Sequence, residues 1–218
     1  MRAENEKKSI GNTPIAVILV VGAYCLLFAS MAGAEAPEVA KPCVQCHGET
    51  GNSDEAEIPR VAGASAFFLE NQLLVFGEEA RPCAKEEFDE AEEKPPAGDH
   101  CALARDLSDE EIAELAEYFS SQEFVPVDQP VDAQLAELGA KIHDQRCDKC
   151  HSEGGSLALD DAGILAGQSK AYLMEQLQDY KAGERWQPEK MQPQMEELSE
   201  EDMKALVEYY ASQGQKRF

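Results

Sequence analysis

Cys43-Val44-Gln45-Cys46-His47 and Cys147-Asp148-Lys149-Cys150-His151 are two copies of one pattern, Cys-x-x-Cys-His, set 104 residues apart. On one helical turn the cysteines lie three apart and the histidine four after the first, so all three side chains share a face. Two thiols placed this way can bond the two vinyl groups of a haem while the imidazole reaches the iron, and this spacing is the c-type haem attachment signature. A zinc site of four cysteines and a pair of redox-active dithiols are the competing readings. Neither employs the two histidines. The preferred reading is two covalently bound haem c groups, held by Cys43, Cys46 and His47 and by Cys147, Cys150 and His151.

The repeat extends outward from the motifs. At the same offset, Val61-Ala62-Gly63 falls on Leu165-Ala166-Gly167 and Arg81 falls on Arg185. Phe68, Gln72, Leu73 and Phe76 fall on Tyr172, Gln176, Leu177 and Tyr180. A second block matches at an offset of 91, with Leu107-Ser108-Asp109-Glu110-Glu111 on Leu198-Ser199-Glu200-Glu201-Asp202. The first copy therefore carries 13 extra residues between Arg81 and Leu107. Such regularity means two tandem copies of one small domain.

Each copy reads as all-α. Ser108 with Glu111, and Ser199 with Asp202, are capping-box starts. Ile112, Leu115, Ala116 and Phe119 then recur at helical spacing, as do Met203, Leu206, Val207 and Tyr210. Further helices are expected over 67–76, over 171–180, and over 132–147 leading into the second motif. Before Cys43 the first copy has almost no room for such an approach helix. No strand-like alternation occurs. Small domains bury little core, and a buried haem would supply the missing apolar centre.

The domain map that follows is a signal peptide over 1–34, a first domain over 35–123 with an acidic insertion near 82–99, a linker over 124–131 and a second domain over 132–218. The signal rests on Arg2, Lys7 and Lys8, the apolar run from Ile15 to Ala29, and the small-x-small Ala32-Gly33-Ala34. Cleavage is expected after Ala34, with Ala36 as second choice and an uncleaved anchor as the rival. Export would place the protein in an oxidising compartment, the periplasm. A net charge of −24 makes nucleic acid and anionic membrane surfaces poor partners. It leaves either a basic redox partner or a generally acidic surface.

A haem held by one histidine stays open to ligands, and carriers commonly close it with methionine. Met174 and Met203 fall on helix faces and read as core. Met191 and Met195 are expected in a loop between Arg185 and Leu198. The first half has no methionine between Met31 and Met174, and His100 stands seven before Leu107 where Met191 stands seven before Leu198. His100 is therefore the expected sixth ligand of the first haem. Cys101, Cys83 or an open iron are the alternatives. His143 is expected to be exposed on the approach helix. A Cys83–Cys101 disulfide across the insertion is the leading reading of the two remaining cysteines. The axial histidines need an orienting acceptor, for which the loops before Val61 and Leu165 are the natural source.

These features resemble the class I cytochromes c, and the tandem arrangement is similar to the dihaem cytochrome c4 family and to the cytochrome subunit of flavocytochrome c sulfide dehydrogenase. The carrying residues are Cys-x-x-Cys-His, Ala-Gly, the Tyr/Phe…Gln-Leu…Phe/Tyr…Gly…Arg helix, a methionine, and Leu-Ser-x-x-Glu/Asp, over Cys43 to Gln213. The resemblance implies two haem domains carrying electrons from a dehydrogenase or membrane donor to a terminal acceptor, with membrane contact only through partners. It favours Met191 over Met195 as the sixth ligand of the second haem. Three departures stand out: His100 in place of methionine, Gly163 where the first half keeps Pro59, and the missing first helix. A cytochrome subunit serving a sulfide- or thiosulfate-oxidising dehydrogenase, a flavoprotein among the candidates, is the second reading. Whether the chain is itself an enzyme is left open, with a carrier preferred.

Overall fold

The computed structural model describes residues 35–83 and 99–214. The expected signal peptide and most of the acidic insertion lie outside the described residues. Among the described residues the regular structure is helical, and no helix is long and apolar enough to cross a membrane.

The first half holds α1 (Lys41–His47), α2 (Ala66–Gly77), α3 (His100–Asp106) and α4 (Asp109–Ser120). Three of these four helices, α2, α3 and α4, start where a side chain satisfies a free backbone N–H group of the first turn. Ser65 accepts from Phe68 N at 3.1 Å to open α2, and Asp99 accepts from Ala102 N at 3.0 Å to open α3. Ser108 and Glu111 close a reciprocal capping box on α4. The core joins Ala40, Leu69, Leu115, Ala116, Tyr118 and Phe119. The short turn Glu38–Ala40 packs on α4 where a full approach helix would lie.

The second half holds α5 (Ala133–Arg146), α6 (Ser152–Gly155), α7 (Lys170–Ala182), α8 (Gln192–Glu196) and α9 (Glu200–Ser212). Asp132 caps α5 and the Ser199–Asp202 box caps α9. Among the described residues these two helices form the most extensive helix pairing. They cross so closely that a Cβ on Gly139 would sit 2.0 Å from the Ala205 carbonyl oxygen. Around the crossing gather Ile142, Leu173, Met195, Leu198, Met203, Leu206, Val207 and Tyr210. Met195 is thus a core residue on α8, not a loop residue between Arg185 and Leu198. His143 is likewise corrected: it is 1% exposed, because α5 turns it toward α9 rather than toward solvent.

The halves meet through loops and side chains. Gln168 Oε1 accepts from Arg60 N at 3.1 Å and its amide donates back to Arg60 O. Trp186 N donates to Ala80 O at 2.6 Å. Ile164 belongs to the first half's core, and the Phe68 ring packs against Gly163, where a Cβ would meet it at 3.0 Å. Residues 124–131 are pinned rather than free. Val127 N donates to Gly167 O at 2.8 Å, and Gln129 bonds both Gln168 O and Lys170 N.

Candidate haem sites

In the first half, α1 carries Cys43 with Cys46 and His47 three and four residues on, beside it on the helix surface. His47 Nδ1 lies 2.9 Å from Pro59 O. This bond fixes the ring and leaves Nε2 for a metal. Burial, opposed by the Pro59 carbonyl and assisted by His100, lowers the His47 pKa to about 4, so the imidazole is neutral and fit to ligate. Burial also raises the pKa of the Cys43 thiol.

His100 opens α3 beside this site. Its ring centroid lies 6.1 Å from that of His47, with the planes at 73°. Two imidazoles that shared one metal ion, each through a bond of about 2 Å, would have centroids at most about 6 Å apart. The His100 ring stacks on Phe76 at 4.6 Å, and the Arg81 guanidinium lies 4.1 Å from the same Phe76 ring. Cys83 and Cys101 are joined as a disulfide with Cα atoms 5.1 Å apart, and His100 N donates to Cys83 O at 3.2 Å. The Phe76 stack restrains the His100 ring, and the bond to Cys83 together with the disulfide ties down its backbone.

In the second half α5 ends at Arg146, and the motif continues on one further turn, with His151 N bonded to Cys147 O at 3.0 Å. His151 Nδ1 is buried without a hydrogen-bond partner. Burial lowers its pKa, and the nearby Gly163 carbonyl works against that without reaching bonding geometry. Met191 caps α8 and packs at the edge of the core that also receives Cys147, Leu177 and Tyr180. Cys150 is exposed.

Between the halves lies a cluster whose role the linear sequence did not declare. Gln72 Oε1 accepts from both Arg81 and Arg185 at 2.6 Å. Gln176 Oε1 accepts from Arg81 at 3.0 Å and from Arg185. Arg185 is 4% exposed, and Arg81 Nε is buried without a partner. Among the described residues neither arginine is paired with a carboxylate. Burial, then Arg185, lowers the Arg81 pKa. Burial works to raise the Tyr172 pKa, but Arg185 and Arg81 outweigh it and the net shift is downward. Two adjacent buried cations without an anion are costly. The haem propionates would be such anions, and a donor set of two thiols, a neutral imidazole and facing arginines fits the group in each half. The recurrence of Gln and Arg in both copies was the signal that could have located this cluster.

A cytochrome c family model matches residues 33–123 and again 136–213. The chain belongs to the cytochrome c family. Cytochrome c4 of Pseudomonas aeruginosa is 29% identical over 206 residues, spanning 89% of this chain and 95% of that protein. The thiosulfate dehydrogenase electron acceptor of Thiomonas intermedia is 29% identical over 79% of this chain and 78% of its own length. The crystal structure of reduced recombinant cytochrome c4 from Pseudomonas stutzeri superposes with a TM-score of 0.63 at 29% identity, covering 79% of this chain and 93% of that one. The protein is thus a dihaem cytochrome of the c4 family with two covalently bound haem c groups, and its partners are redox proteins.

Proposed function

We propose that this exported cytochrome carries electrons between two unlike centres, one bound by His47 and His100 and the other by His151 and Met191. The observation that carries the reading is the 6.1 Å spacing of the His47 and His100 rings, which suits two imidazoles on one iron. Cys43, Cys46, Cys147 and Cys150 provide the covalent attachments. Bound at these residues, each haem supplies reversible one-electron chemistry. The side chains set its terms. Two imidazoles hold the first site at lower potential than the imidazole and thioether of the second. Pro59 orients His47, while the Cys83–Cys101 disulfide holds the segment that bears His100. The ordering makes the first half the entry for electrons and the second half the exit.

A redox titration of the loaded protein tests this. Two separate one-electron waves are expected, and a single indistinguishable potential for both haems would contradict the unequal ligand sets.

Periplasmic residence follows from the positively charged and apolar start of the chain and from the disulfide, which suits an oxidising compartment. The processed protein then comprises 35–123, the linker 124–131 and 132–218. Residues 35–123 hold 23 acidic and 6 basic residues, against 17 and 10 in 132–218, so a basic donor is steered to the first half. The likeness to a thiosulfate dehydrogenase electron acceptor favours a second reading, in which the donor is a separate sulfur-oxidising dehydrogenase. Co-purification of such an enzyme would distinguish it from a membrane donor.

A further inference from the structure

His143 is the buried histidine that neither ligand set employs. It lies on α5 one turn before Cys147, and its Nδ1 is 3.1 Å from the Tyr210 hydroxyl. The ring tilts against Tyr209 at 5.1 Å and stands edge-on to Tyr210 at 5.5 Å. Nε2 lies 3.4 Å from Asp148 Oδ1, whose side chain is 55% exposed, yet makes no hydrogen bond of good geometry. The Tyr210 hydroxyl also interacts with the Cys147 sulfur. A polar path therefore runs from a haem-attachment sulfur, through Tyr210 and His143, to a carboxylate in solvent, with its loosest step the 3.4 Å from His143 Nε2 to Asp148.

The first half provides an internal control. Under the repeat, His143, Asp148 and Tyr210 correspond to Val39, Val44 and Phe119, all packed in or against the apolar core. Among the described residues the path exists only in the second half. A histidine and a tyrosine hydroxyl buried where the sister domain uses apolar groups cost stability unless paired, and packing alone does not call for them.

We propose that the Tyr210–His143–Asp148 path is a redox-linked proton site, so that one-electron reduction of the second centre takes one proton onto His143 while the first half exchanges electrons alone. The electron comes from the redox partner and the proton from solvent by way of Asp148. A single N–H bond forms on the imidazole, and reoxidation returns both particles. As imidazolium, His143 donates from both ring nitrogens, to the Tyr210 oxygen and to Asp148, which frees the Tyr210 hydroxyl proton to turn toward the Cys147 sulfur.

The groups facing His143 are Asp144 on its own helix, Asp148 and Cys147 on the following turn, Tyr209 and Tyr210 on α9, and His151 across the site. Burial disfavours the imidazolium, and Asp148 and Asp144 favour it, leaving its pKa below the ordinary histidine value. An added electron nearby raises the pKa, so the potential falls as pH rises between the oxidised-state and reduced-state values. The proposal rests on haem attachment at Cys147 and Cys150 and is independent of the sixth ligand of the first haem.

The test is a redox titration of the loaded protein at a series of pH values spanning the histidine range, with His143→Phe and Tyr210→Phe beside the native chain. A measured content of one haem per chain, rather than two, would instead refute attachment at Cys147 and Cys150 itself. One of the two potentials should fall with pH by up to about 59 mV per unit, the tenfold change in proton activity for a one-electron couple. The other should stay level, and His143→Phe should level both. Two level potentials in the native chain, or a slope that survives His143→Phe and so belongs to another group, would overturn the proposal. The NMR titration of His143 in the native protein provides a second readout free of variants. Its midpoint should rise on reduction, and equal midpoints in the two states would also overturn the site.

Discussion

At the scale of single residues, Gly163 shows how the two copies have diverged. Pro59, its counterpart, presents a carbonyl that bonds His47 Nδ1, whereas the Gly163 carbonyl faces His151 without a bond of good geometry. The glycine is explained from across the interface: Phe68 occupies the space a side chain would need. Gly163→Ala should therefore displace Phe68 and cost about 1–3 kcal/mol, read as a lower denaturant midpoint. An unchanged midpoint would show that the ring yields freely. This packing was not legible in the sequence, since nothing near Gly163 in the chain announces a neighbour in the other half. His143 failed for the same reason. On a helix of mixed polarity a histidine reads as exposed, and only the distant Tyr209 and Tyr210 reveal that it is buried. The haem motifs were legible because Cys-x-x-Cys-His states its geometry within five residues.

Among the elements, the long helices were readable and the short ones were not. α4 and α9 announced themselves through Ser108 with Glu111 and Ser199 with Asp202, local signals that persist whatever the surroundings. The five-residue α8 and seven-residue α3 lack the length for a periodic pattern, and tertiary contacts stabilise such pieces. The α5–α9 crossing is the firmest joint of the second half and rests on one missing side chain. Gly139→Ala would place a methyl against the Ala205 carbonyl and force the helices apart. The loss expected is at least the roughly 1–3 kcal/mol of ordinary overpacking, despite alanine's better helix propensity. Thermal unfolding of the loaded protein checks it, and a rise in midpoint would contradict the close crossing.

For the whole molecule, the duplication sets a symmetric plan and the differences carry the specialisation. Gln72, Gln176, Arg81 and Arg185 come from equivalent positions and meet between the halves. Around that shared centre the first half has the short turn Glu38–Ala40 on its α4 where the second pairs α5 with α9, carries the Cys83–Cys101 disulfide and has His100 where the second half has Met191. The second half alone buries His143 against Tyr210. Unlike ligation of the two haem sites is read out by counting methionine-to-iron signatures in the ferric protein. The native chain should show one such signature and His100→Met two. Two signatures in the native chain would contradict the assignment.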